Sequence, residues 1–161
     1  MKRFIFSILF IVSVSQFGLA YGGDIAIVVN KENITDEISF EHLVNIFKQE
    51  KQFWKDGKKI YVIMQEVGSF EKEIILEKIY KMNDQELKKF WLSKIFKGDI
   101  SSFPKTLSSS ESVKRFVSQV PNAIGFIDTS LVDESIKVLR VDGKLPEDKD
   151  YILRDEIRDE D

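Results

Sequence analysis

The sequence predicts an α/β domain, a sheet with helices packed on its faces, and three observations lead there. Apolar runs of strand length alternate along the chain with segments whose apolar residues recur every three or four positions. The length of 161 residues suits one core, and 43% hydrophobic residues with 13 Phe are enough to fill it. Asp-Gly and Pro punctuation falls between the runs.

The first twenty residues differ from the rest. Lys2 and Arg3 precede an apolar stretch from Phe4 to Val14, and small residues close it at Gly18-Leu19-Ala20. That is the layout of a cleavable secretory signal over residues 1–20, and the apolar run is shorter than the roughly 20 residues a spanning helix needs. The expected product is periplasmic or secreted and does not span the membrane.

Asp24 to Asn30 is a continuous apolar run with β-branched residues, expected as a central strand buried on both faces. Ser39 then precedes Phe40, Leu43, Val44 and Phe47 at helical spacing, with a hydroxyl able to cap the first turn. A charged segment, Lys48 to Lys59, contains Trp54 and ends in an Asp56-Gly57 turn before the strand Ile60 to Met64. From Ser69, the residues Phe70, Ile74, Ile75, Ile79 and Met82 trace a second helix. Asn83 and Glu86 have capping-box spacing ahead of a third, with Leu87, Phe90, Trp91 and Ile95 on one face and Gly98 at its end.

Pro104 lies in a polar linker. Ser108 and Glu111 repeat the capping-box spacing before Val113, Phe116, Val117 and Val120, and Pro121 stops that helix. Ile124 to Ile127 and Ile136 to Val141 are the remaining strands, the latter closed by Asp142-Gly143. The domain is expected over residues 21–146, with a charged, disordered tail over residues 147–161.

Removing Lys2 and Arg3 from the 24 basic residues leaves 22 against 27 acids, a formal charge of −5. No basic stripe is present to neutralise phosphodiesters, so a nucleic-acid partner is not expected. The chain has no Cys, which excludes disulfides, thiol catalysis, Cys-ligated zinc and a lipid-modified Cys.

Several motifs taken in order form a larger pattern: Ile46-Phe47, Trp54-Lys55-Asp56-Gly57, Phe90-Trp91, Ile95-Phe96-Lys97-Gly98, Pro104, and Val120-Pro121-Asn122-Ala123-Ile124-Gly125-Phe126-Ile127. The pattern resembles the phosphate-type periplasmic solute-binding family, and in particular its short single-lobe members, from about Ile25 to Gly143. The resemblance implies one lobe of the type 2 periplasmic-binding-protein fold, a mixed sheet with helices on both faces. It implies a noncatalytic protein without a cofactor. The ligand implied is phosphate or another small oxyanion, held in full-length members by a Ser-Gly-Thr-like turn at a helix start with an Arg close by.

Those positions fall in Gln65-Glu66-Val67-Gly68-Ser69-Phe70-Glu71. Gly68 and Ser69 fit the pattern. Gln65 stands at the Arg position and Phe70-Glu71 replaces the Gly-Thr pair, while Lys72 offers a basic residue one turn later. The ligand-binding candidates are therefore Gln65, Gly68, Ser69, Phe70 and Lys72. Helix-start N–H groups suit an oxyanion, but Glu66, Glu71 and Glu73 oppose one, and Ser69 serves equally as a plain cap.

Other candidates have simpler readings. Ser108-Ser109-Ser110 fits a capping box with a solvated linker, and His42, the one histidine, sits mid-helix with no Ser-His-Asp set around it. Asp155, Glu156, Asp159 and Glu160 lack the Gly-turned loop of a Ca²⁺ site. Phe90 and Trp91 fall on a core stripe, with Trp54 less easily placed. Two functional readings stay open: a binder of a small oxyanion, and an interaction module that kept the lobe and lost the ligand. In either case an envelope protein or a second copy would cover the open face.

Overall fold

The structure, a computed structural model, describes residues 24–154. The expected signal over residues 1–20 and residues 155–161 of the expected tail lie outside the described residues.

Strand β1 (Ile25–Asn30) is buried along its whole length. Ile25, Ile27 and Val29 enter one apolar cluster and Ala26 and Val28 another, as two-residue periodicity requires of a strand covered on both faces. A short β2 (Glu37–Ile38) leads to α1 (Phe40–Phe47). There the Ser39 hydroxyl accepts the His42 N–H, and Leu43, Ile46 and Phe47 turn inward. Strand β3 (Tyr61–Gln65) follows, then α2 (Phe70–Ile75).

The helix expected from Ser69 to Met82 is divided. After Ile75 the chain continues as a π-helical segment, Leu76–Tyr80, which ends on Lys81 in a left-handed conformation, φ +53°. Leu76, Ile79 and Tyr80 are buried there, and the Tyr80 hydroxyl donates to the Phe47 carbonyl at 2.8 Å. A carbonyl left unpaired at the end of α1 is thereby satisfied.

Helix α3 (Asp84–Lys97) carries the complete Asn83/Glu86 capping box and ends on Gly98 at φ +76°. Then come β4 (Lys105–Leu107), α4 (Ser110–Gln119), β5 (Ala123–Asp128), a 3₁₀ turn (Thr129–Leu131), β6 (Ile136–Val138) and β7 (Arg140–Val141).

The main sheet has the order β4-β3-β5-β1-β6. β3 runs parallel to both β4 and β5, whereas β1 runs antiparallel to β5 and β6, so the sheet is mixed. β5 holds the middle position, and β1 beside it is an interior strand buried on both faces, as expected. Residues of α1, α2 and α3 join the cluster on one face, and Val113 and Val117 of α4 join the cluster on the other. β2 and β7 form a separate parallel pair.

Four further details depart from the sequence reading. β4 lies in the segment read as a polar linker. The strand expected from Ile136 to Val141 breaks at Leu139, where Leu139 N–H still reaches Ile27 O but Arg140 N–H turns to Asp36 O. α4 is capped by Ser109, not Ser108. The boundary expected at residue 146 moves outward, because Tyr151 and Leu153 are buried in the first cluster. Trp54 also finds its place: it is buried, and its indole N–H donates to Asn122 O.

Gly125 of β5 lies under α4, where an added Cβ would stand 2.7 Å from Val113 Cγ1. Gly125→Ala is therefore expected to destabilise the protein by about 1–3 kcal/mol through overpacking. Urea unfolding of Gly125→Ala, Val113→Ala and the double variant checks this. The double variant should lose less than the two single losses added together.

Candidate functional site

The candidate residues lie where β3 ends and α2 begins, at the carboxyl edge of the parallel strands. β3 alternates like the other strands, Val62 and Met64 toward one cluster and Ile63 toward the other. Gln65 shares the parity of Ile63 and so faces the start of α4. It is fully buried, and its amide donates to Ser110 Oγ at 2.9 Å and to Phe126 O at 3.0 Å. Its own Oε1 has no hydrogen-bond partner.

Past Gln65 the chain comes to the surface. Glu66 N–H donates to Leu107 O, pinning the turn to β4, and Glu66, Val67 and Gly68 are exposed. Gly68 has φ +92°, a conformation that favours glycine, and open space stands where a Cβ would be. Ser69 caps α2, its hydroxyl accepting Lys72 N–H at 3.2 Å. Phe70 points outward.

Two charged side chains of the first helical turn have partners inside the protein. Lys72 is buried, and its ammonium lies 2.7 Å from Asp84 at the start of α3. An unpaired ammonium at that depth would be costly, so the carboxylate both anchors and occupies it. Glu71 turns the other way, and its Oε1 accepts the hydroxyl proton of Ser110.

Ser110 is the hub of this arrangement. Its oxygen accepts from Gln65 Nε2 and from the Asp128 backbone N–H at 3.1 Å, which leaves its one proton for Glu71. β3, β5, α2 and α4 thus meet at one hydroxyl, and the acceptor of its proton is a carboxylate of the protein itself.

Gln65 is drawn into the core, Gly68, Ser69 and Phe70 remain at the surface, and Lys72 turns toward α3. Sequence reasoning marked Glu71 as a charge opposed to an anion but missed Ser110 as its donor. The serine run was visible, but its link to Glu71 spans 39 residues and no local spacing encodes it. His42 is exposed on α1, and among the described residues no group of His, Asp or Glu is placed to hold a metal ion. No helix of the described residues is long and apolar enough to cross a membrane.

The fold is similar to that of phosphate substrate-binding proteins. A Clostridium perfringens protein assigned to the phosphate ABC transporter substrate-binding type and solved with bound phosphate matches 74% of this chain, with TM-score 0.60 and 23% identity. An ABC-type phosphate transport receptor from Vibrio cholerae matches 76%, with TM-score 0.62 and 22% identity. PstS from Borrelia burgdorferi matches 76%, with TM-score 0.60 and 20% identity. The matched region is 45%, 48% and 49% of those proteins respectively, so the chain spans less than half of each, one lobe of the fold. No protein-family model matches the sequence.

Replacing Ser110 by Ala removes the oxygen that two N–H groups share and releases Glu71. The expected cost is about 1–3 kcal/mol, the penalty for stranding a buried donor. Thermal unfolding of Ser110→Ala against the parent measures it.

Proposed function

We propose that this chain is a noncatalytic, extracytoplasmic binding lobe with the fold of phosphate substrate-binding proteins, in which Glu71 takes the place of a bound oxyanion and the exposed turn engages a partner protein. The observation that carries this reading is the Glu71 to Ser110 hydrogen bond. An arriving oxyanion would have to displace that carboxylate, or bind beside it against a repulsion of about 1–4 kcal/mol at contact distance. Lys72 gives it little help, since Asp84 already neutralises that charge.

The turn also carries apolar side chains that a free oxyanion would not use. Val67 is 70% exposed and Phe70 36%, on either side of Gly68 and Ser69. Exposed apolar groups beside backbone donors suit a protein surface.

A second reading, a weak binder of phosphate or a similar oxyanion, is favoured by the open space in front of Gly68. Titration calorimetry with phosphate and sulfate separates the two, using protein without residues 1–20. The partner reading expects no heat at millimolar ligand from the parent, and weak binding that emerges in Glu71→Gln. Binding by the parent that Glu71→Gln leaves unchanged would establish the oxyanion reading instead. For the partner itself, cross-linking in an envelope extract should give one adduct that Val67→Ser/Phe70→Ser abolishes, and an adduct that survives the double change would count against the turn.

Extracytoplasmic placement rests on the N-terminal pattern. Expression of the whole chain in a bacterial host should yield a periplasmic or secreted product beginning near Tyr21, which N-terminal sequencing checks.

A further inference from the structure

Helix α3 is apolar on two sides. Leu87 and Trp91 face the core, as a covered helix requires, yet Leu92 and Phe96, one turn apart, lie on the outer side. Phe96 is 87% exposed and Leu92 37%. Lys88 stands one turn before Leu92 on the same flank, with Lys89 beside it. Lys88 also lines a cleft of about 350 Å³ whose walls include Val67, Trp91, Phe103 and Pro104. Phe103 is 46% exposed at its rim. Exposed apolar groups therefore run from the loop before β4 along the outer flank of α3.

The charge around this surface has one sign in excess. Residues 88–105 contain Lys88, Lys89, Lys94, Lys97 and Lys105 against Asp99 alone, in a chain with 24 basic and 27 acidic residues. Among the described residues, Lys88, Lys89 and Lys97 form no ion pair. Lys94 and Lys105 lie over the rings of Phe90 and Phe116, at 5.3 and 5.4 Å from their centroids. Of the neighbouring acids, Asp84 is held by Lys72 and Glu86 by the Asn83 N–H; Glu66 and Asp99 sit at the two ends.

We propose that the outer flank of α3, with the loop through Phe103, docks peripherally on an anionic lipid bilayer. Lysines flanking protruding apolar side chains let the surface set its charges against anionic headgroups while Phe96 and Phe103 reach into the layer below them. A bilayer offers dispersed phosphates to lysines spread along the flank, and it adapts around Phe96 and Phe103 without needing a preformed socket. A protein partner would need a matched socket and matched acids at once.

The test is co-sedimentation of the protein without residues 1–20, whose apolar stretch would itself partition into lipid. Both apolar clusters are built from residues within 25–153, so this chain retains its core. Vesicles of phosphatidylglycerol mixed with phosphatidylcholine should bind it, and pure phosphatidylcholine vesicles should not. Each lysine near the surface contributes about five-fold in partitioning, so Lys88→Gln/Lys89→Gln should weaken binding roughly twenty-five-fold, and added salt should weaken binding of the parent. Phe96→Ser should weaken it about ten-fold through lost apolar burial. Phe96 is exposed, so unchanged thermal unfolding will show that this variant is folded. Equal binding to both vesicle types, no binding to either, or insensitivity to the lysine changes would overturn the proposal. So would capture by an acidic polypeptide alone, which would assign the surface to a protein partner.

Discussion

The Gln65 carboxamide is the tie on which the end of this fold depends. It leaves β3 on the α4 side, donates to the β5 carbonyl of Phe126, and reaches the Ser110 hydroxyl at the start of α4. A buried amide costs free energy unless its donors are used, and here both are used on different elements. Through Ser110 the same tie extends to Asp128 and to Glu71, so the position of the first turn of α2 is fixed by the sheet beneath it. An arginine at this position would bring a permanent charge and a longer side chain. Glutamine supplies a neutral, short donor, and the turn that follows is tied to the sheet through it.

A neutral donor at this position is consistent with how the neighbouring charges are arranged. Without a cation in the core, Glu71 is held by a hydroxyl proton, and its place two residues after the Ser69 cap also favours the positive end of the helix. Lys72, one residue on, cannot share that direction and pairs with Asp84 across to α3. Glu71 and Lys72 are thus each matched by a different element, while Glu73 is exposed. The six-residue α2 and the π-helical segment after it are held from both sides: by Ser110 and Asp84 at the beginning, and by the bond from Tyr80 to Phe47 at the end.

Most of the fold was legible because its signals are local. β1, α1 and α3 announce themselves through apolar period, a capping serine and a capping box, and each is found within a residue or two of its expected place. β4 was not legible, because three partly exposed residues, Lys105-Thr106-Leu107, carry no apolar run and become a strand only by pairing with β3. The π-helical segment is invisible for a related reason: its apolar spacing also fits an α-helix. For the candidate site, the turn geometry at Gly68 and the cap at Ser69 could be read from residue type. The partners of Gln65, Glu71 and Lys72 could not, since they lie on other elements, 45, 39 and 12 positions away.

The proposed reading, a lobe that engages a partner protein and not a free oxyanion, rests on the free-energy balance at Ser110. A hydrogen bond from a hydroxyl to a carboxylate contributes about 1.5–3 kcal/mol, so breaking it to admit an external anion lowers affinity roughly ten- to hundred-fold before repulsion is counted. A lobe with one open side begins with less buried ligand surface than a closed cleft, and it has little reserve to offset that loss. A protein partner faces no such competition. It can leave Glu71 on Ser110, cover Val67 and Phe70, and gain from apolar burial what the oxyanion would have to gain from charge. On that reading the carboxylate that would oppose a small anion would also keep the turn rigid for a larger surface, and rigidity lowers the ordering cost of binding.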